Sequence, residues 1–155
     1  MKTGHADKAR ELFNEGYNCS QAVLGAFAED AGLDVKTALR LSAPFGGGMG
    51  RMREVCGAVS GMTFVMSALY GYDDPKAFEE KADLYKKIQT VANEFKNENG
   101  SIVCRERLAL QTTGASAPTP EHRTDAYYKK RPCPELVKQA ADFIEDFIAK
   151  NPISK

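Results

Sequence analysis

From residue 6 to residue 148 the apolar side chains return every third or fourth position, and nowhere do they alternate long enough to make a useful strand. The stripe is clearest near the end, where Leu136, Val137, Ala140, Phe143, Ile144, Phe147 and Ile148 share one face of a helix beginning near Pro134. At the other end Ala6, Ala9, Leu12 and Phe13 form a stripe that Gly16 stops. Asn18, with Gln21 three residues on, has the form of a capping box, and Cys19, Ala22, Val23, Ala26 and Phe27 line the helix behind it, which ends near Asp30 to Gly32. Asp34 caps a short third helix to about Leu41, and the run Pro44 to Gly50 breaks the pattern. A helix is then expected from about Arg51 to Tyr70. Another is expected from an Asp74-Pro75 start, carrying Phe78, Ala82, Tyr85, Ile88, Ala92 and Phe95 to Gly100. Ser101 can cap a short helix with Cys104, Leu108 and Leu110. The sequence therefore predicts an all-α fold, a single-domain helical bundle of about five longer helices plus short ones over residues 1–155. A long Thr-, Ser- and Pro-rich connection runs from about 111 to 132.

Charge narrows the function. Lysine plus arginine equals aspartate plus glutamate, 21 each. A nucleic-acid partner would need a concentrated positive surface, so none is expected as the main partner. Val55 to Gly71 is uncharged, but at about 17 residues it sits at the short limit for a bilayer span. It also holds three glycines, two serines and a threonine, which suits a helix buried inside a bundle, so no membrane insertion is expected. The first eight residues are charged and lack an apolar run, so no secretory signal is read there and a cytoplasmic location is the default.

That location matters for four cysteines, Cys19, Cys56, Cys104 and Cys133, of which no two form a Cys-x-x-Cys pair. In a reducing compartment such thiols are free, catalytic or metal-ligating rather than structural disulfides. Cys19 follows its cap directly, Cys104 falls in the first turn after Ser101, and Cys133 lies between two prolines after Lys129, Lys130 and Arg131. Helix N-termini and nearby cations favour the thiolate, which is both nucleophile and metal ligand. For thiol–disulfide chemistry, with one cysteine attacking and another resolving, Cys133 or Cys104 is the expected nucleophile. Any one buried cysteine can be plain core filling, but Cys133 stands outside the periodic stripes and has no packing reason to be cysteine. Cys56 begins Cys56-Gly57-Ala58-Val59-Ser60-Gly61. Gly57 and Gly61, one turn apart and joined by Ala68, would leave a groove for close approach of another helix or a cluster. The Gly46 to Gly50 run lacks the strand and Lys-Ser/Thr of a phosphate loop and reads as a turn that lets the chain pass close to its neighbour. His5 and His122 lack ligand spacing and read as solvated; Arg51 and Arg53 read as a solvated helix start.

The ordered set Asn18-Cys19-Ser20-Gln21-Ala22, Phe45-Gly46-Gly47-Gly48-Met49-Gly50, Cys56-Gly57-Ala58-x-x-Gly61, Cys104 and Cys133 resembles the C_GCAxxG_C_C family. The resemblance runs from about Tyr17 to the last helix, although the central motif here reads Cys-Gly where the family's name writes Gly-Cys. It implies that these four cysteines are the defining residues, that they carry electron-transfer or thiol chemistry, and that the chain is related to a portion of split-Soret cytochromes. With no Cys-x-x-Cys-His there is no covalent haem, and the cytochrome connection points instead to an iron–sulfur cluster or another thiolate-bound metal. Three functions follow. In the first, Cys19, Cys56, Cys104 and Cys133 ligate a metal centre for electron transfer. In the second they are a metal-free thiol–disulfide site. In the third the bundle is a non-enzymatic partner-binding module, and exposed parts of the last helix could support a homodimer. The first two make the chain an electron carrier or an oxidoreductase, whose redox partner the sequence does not name.

Overall fold

Local capping chemistry sets most helix starts. The computed structural model describes residues 4–111 and 114–153. Residues 1–3 of the charged N-terminal stretch, 112–113 of the long connection, and 154–155 lie outside the described residues. The helices are α1 (His5–Asn14), α2 (Cys19–Ala26), α3 (Val35–Ser42), α4 (Gly57–Tyr70), α5 (Phe78–Asn99), α6 (Cys104–Arg107), α7 (Asp125–Lys130) and α8 (Cys133–Lys150). No strand forms among the described residues; one isolated antiparallel bridge joins Val55 to Val103. The all-α expectation holds.

At α2 the capping box is complete. Asn18 Oδ1 accepts from the Gln21 amide at 3.0 Å, and Gln21 Oε1 accepts from the Asn18 amide at 3.1 Å. The other ends of both side chains donate to Ala43 O and Leu39 O, which fastens the start of α2 to α3 and the turn after it. Asp34 caps α3 through the Thr37 amide at 3.0 Å. Around α2 the bundle closes. α1 lies along α8 and α2, α4 lies along α2, and α8 packs on α2, α4 and α5. Phe13, Phe27, Phe95, Leu24, Met62, Met66 and Ile144 are fully buried at the centre. Each such side chain is worth roughly 1.5–3 kcal/mol of burial.

Several expectations change. The helix expected from Arg51 begins only at Gly57, because Gly47, Gly48, Met49, Gly50, Arg51 and Arg53 all have positive φ. These left-handed residues wind the chain into a turn, and Val55 then pairs with Val103. Asp74-Pro75 forms a turn rather than a helix start. Asp74 O accepts from Ala77 N at 3.1 Å with proline at the second position, and α5 begins at Phe78. Only the C-terminal half of the α5 stripe is covered: Val91 and Phe95 are buried, while Phe78 is 81% and Tyr85 55% exposed. α2 stops at Ala26 and continues as turns to Gly32, and α6 stops at Arg107, short of Leu108 and Leu110. His5 is not solvated. Its ring stacks on Phe27 at 4.0 Å, with Nδ1 2.8 Å from Glu145 Oε1 and Nε2 2.8 Å from Asp30 Oδ2. His122 is exposed, as read.

The long connection is a strap over one end of the bundle and contains α7. Arg123 donates to Phe13 O at 2.8 Å and Tyr17 O at 2.9 Å, and the Tyr128 hydroxyl donates to Asn14 O at 3.2 Å. Among the described residues no helix is long and apolar enough to cross a membrane.

Candidate four-cysteine site

All four cysteines stand at helix starts. Cys19, Cys104 and Cys133 are the first residues of α2, α6 and α8, and Cys56 is the N-cap of α4. The sequence placed Cys56 inside a longer helix; the left-handed turn before it moves it to the end. Four chain segments bring these starts together. α2 and α4 run side by side in register, so that a Cβ built on Gly57 would lie 2.9 Å from Cys19 Cβ and one on Gly61 would lie 2.6 Å from Val23 Cβ. The glycine groove is real, but Ala68 is exposed and takes no part, since α2 ends at Ala26. The bridge sets the second pair: Cys56 N donates to Ile102 O at 2.7 Å, and Cys104 N to Glu54 O at 2.5 Å. Gly48 closes the turn beneath, where an added Cβ would sit 2.7 Å from Cys104 Cβ. Cys133, on α8, comes beside Cys19, near enough for each thiol to shift the other's ionisation. All four are free, none is more than 9% exposed, and all line one cavity of about 550 Å³.

The thiols differ in charge state. The Cys19 thiol donates to Cys133, which holds Cys133 below its ordinary pKa against the cost of burial, and Arg131, Arg123 and Arg53 add in the same direction. The same hydrogen bond, then burial, holds Cys19 well above its ordinary value. Burial pushes Cys56 up to about 12. It also raises Cys104, with Arg53 opposing. At Cys56 and Cys104 desolvation outweighs the helix N-terminus. Of the two expected nucleophiles, Cys133 has the thiolate-favouring surroundings and Cys104 does not.

Arginines complete the site. Arg53 is 6% exposed, and donates through Nε to Ser116 Oγ at 2.8 Å and through Nη1 toward Cys104 Sγ at 3.7 Å. Arg51 donates to Thr119 O at 2.7 Å. Neither is a solvated helix start: the left-handed turn directs both under the strap. Arg123, Arg131 and Arg107 also line the cavity, as do Phe13 and Tyr127, the latter with Arg123 at 5.0 Å and Arg131 at 5.4 Å over its ring. The basic run before Cys133 signalled Arg131. Nothing local could signal Arg123, whose carbonyl partners lie more than a hundred residues away in sequence.

Among the described residues no three of Cys, His, Asp and Glu are grouped to hold a single metal ion. The thiols border a cavity instead of converging on a point. A mononuclear zinc-type centre, whose four ligands share one ion, does not suit that arrangement. In kind and number the donors are those of iron–sulfur ligation, in which the thiolates are distributed over more than one iron.

No curated protein and no solved structure matched the chain. A family model described as "Putative redox-active protein (C_GCAxxG_C_C)" matches residues 17–147, from just before the α2 cap to the last turns of α8, and includes all four cysteines. The chain belongs to the C_GCAxxG_C_C family.

Proposed function

We propose that Cys19, Cys56, Cys104 and Cys133 together form one redox centre that holds an iron–sulfur cluster for electron transfer. Arg53 carries this reading. A guanidinium this deeply buried is costly unless an anion meets it. Its hydrogen bonds go to Ser116 and Cys104, and no carboxylate pairs with it among the described residues. Thiolate sulfur at the same cavity supplies the missing negative charge. Bound there, a cluster would supply one-electron transfer. The chain's residues would ligate it through the four sulfurs, offset its charge with Arg53, Arg123 and Arg131, and exclude water with Phe13, Tyr127 and the strap. Each thiol gives up its proton on ligation, so loading strengthens as pH rises. Four buried free thiols suit a reducing compartment, which supports the cytoplasm as the location. Anaerobic reconstitution with iron and sulfide, followed by absorption spectroscopy and metal analysis, tests the reading. A thiolate-to-iron band with stoichiometric iron supports it, and a colourless, iron-free protein overturns it.

The neighbouring, oppositely shifted thiols of Cys19 and Cys133 favour a second, metal-free reading. Cys133 thiolate attacks an external disulfide, forming a mixed disulfide and releasing one thiolate. Cys19 then loses its proton and displaces the second thiolate, closing a Cys19–Cys133 disulfide, so the chain is oxidised by two electrons and the external disulfide reduced by two. Mild oxidation of metal-free protein would remove two titratable thiols, and none in C19S or C133S. An unchanged thiol count in the parent chain would exclude it.

A further inference from the structure

The same cavity has a chemistry the thiols do not use. At about 550 Å³ it has the volume of a small-molecule site. Five guanidinium groups line it, those of Arg51, Arg53, Arg107, Arg123 and Arg131, against one carboxylate, Glu121, which already accepts from Arg131 at 2.6 Å. Arg53 and Arg123 are taken up by the hydrogen bonds described above. Arg51 spends one N–H on Thr119 O, and no hydrogen bond within the chain holds the Nε–H of either Arg51 or Arg107. Five guanidiniums against one carboxylate leave the wall with a surplus of positive charge that an anion from outside the chain would offset. The exposed residues Pro118, Pro120 and Glu121 mark where the cavity reaches solvent.

We propose that this cavity binds a small polyanion carrying at least two carboxylate or phosphate groups, docked by Arg51 and Arg107 beside the thiols. Guanidinium forks suit both groups, since each offers paired oxygens to two N–H donors. A polyanion seated there covers the thiols. Its part as electron donor or acceptor rests on the redox reading above, but its docking does not.

The test uses the full chain, reduced and metal-free, with citrate and pyrophosphate as probes and sodium chloride at matched ionic strength as control. Calorimetry measures binding, and alkylation of Cys133 by neutral iodoacetamide measures cover. One probe is expected to bind at one per chain and slow alkylation about tenfold. Preference for citrate assigns the groups as carboxylates, and preference for pyrophosphate as phosphates. Arg107→Gln and Arg51→Gln, each checked for folding by its melting curve, are expected to weaken binding tenfold or more. No saturable binding, equal protection by sodium chloride, or unchanged binding in whichever variant folds would overturn the proposal. Binding by a chain that shows neither cluster nor disulfide would leave the docking site standing and remove only the redox reading.

Discussion

Gly48 and Gly50 offer a matched pair of substitutions that isolates one contact at the base of the site. Both have left-handed backbones, with φ of 71° and 57°. Alanine in that region costs roughly 1–2 kcal/mol, and that is the whole expected cost of Gly50→Ala, because nothing lies within 4 Å of its added Cβ. At Gly48 the Cβ would stand 2.6 Å from Glu54 N, 2.7 Å from Cys104 Cβ and 2.8 Å from Arg53 C. Two of these are backbone atoms held by the Val55–Val103 bridge, so the overlap cannot be relieved by rotating a side chain. Overpacking of this kind adds about 1–3 kcal/mol. G48A should therefore be about 2 kcal/mol less stable than G50A, equivalent to a melting temperature lower by roughly 4–8 °C in a chain of this length. Urea denaturation of both reduced variants at neutral pH measures the difference, and iodoacetamide labelling with peptide mapping should show Cys104 reacting faster in G48A alone. Equal midpoints with unchanged Cys104 labelling would refute the close approach of the glycine turn to Cys104.

Three further outcomes follow from the site. C19A removes the donor that stabilises the Cys133 thiolate, so the pH profile of Cys133 alkylation should move upward and its rate near pH 7 should fall severalfold; an unmoved profile would deny the hydrogen bond. Cys56, raised from 9 to about 12, contributes stability that is fully present below pH 9 and lost as pH rises toward 12, amounting to about 4 kcal/mol across that window. The alkaline decline of the urea midpoint should accordingly be shallower in C56A, and parallel declines would contradict Cys56's burial as a neutral thiol. R123A removes two hydrogen bonds to backbone carbonyls and the contact over Phe13 at 4.1 Å, so it should cost roughly 2–4 kcal/mol and speed both thiol labelling and proteolysis of the strap.

What the sequence disclosed was whatever local chemistry decides. The Asn18–Gln21 box, the Asp34 cap and the α8 stripe are written in neighbouring residues, and each formed where expected. The Arg51–Tyr70 helix failed because apolar spacing continues through residues whose backbone is left-handed. Glycines announce such a turn, but Met49, Arg51 and Arg53 follow it without any propensity of their own. Three of the four helix-start cysteines were legible for the same local reason, and the fourth was hidden by that turn. His5 was misread because its carboxylate partners, Asp30 and Glu145, lie on other elements. The arginine wall was likewise beyond local reading, since it depends on a strap folding back across the bundle.

On the proposed function, four cysteines scattered over more than a hundred residues act as one centre. Anaerobic iron–sulfide reconstitution of the parent chain and of the single variants C19S, C56S, C104S and C133S tests it most directly. A visible thiolate-to-iron band and stoichiometric iron are expected in the parent, diminished or lost in every one of the four variants. A parent chain that takes up no iron, or a band that survives any of the substitutions undiminished, would contradict a shared four-cysteine centre.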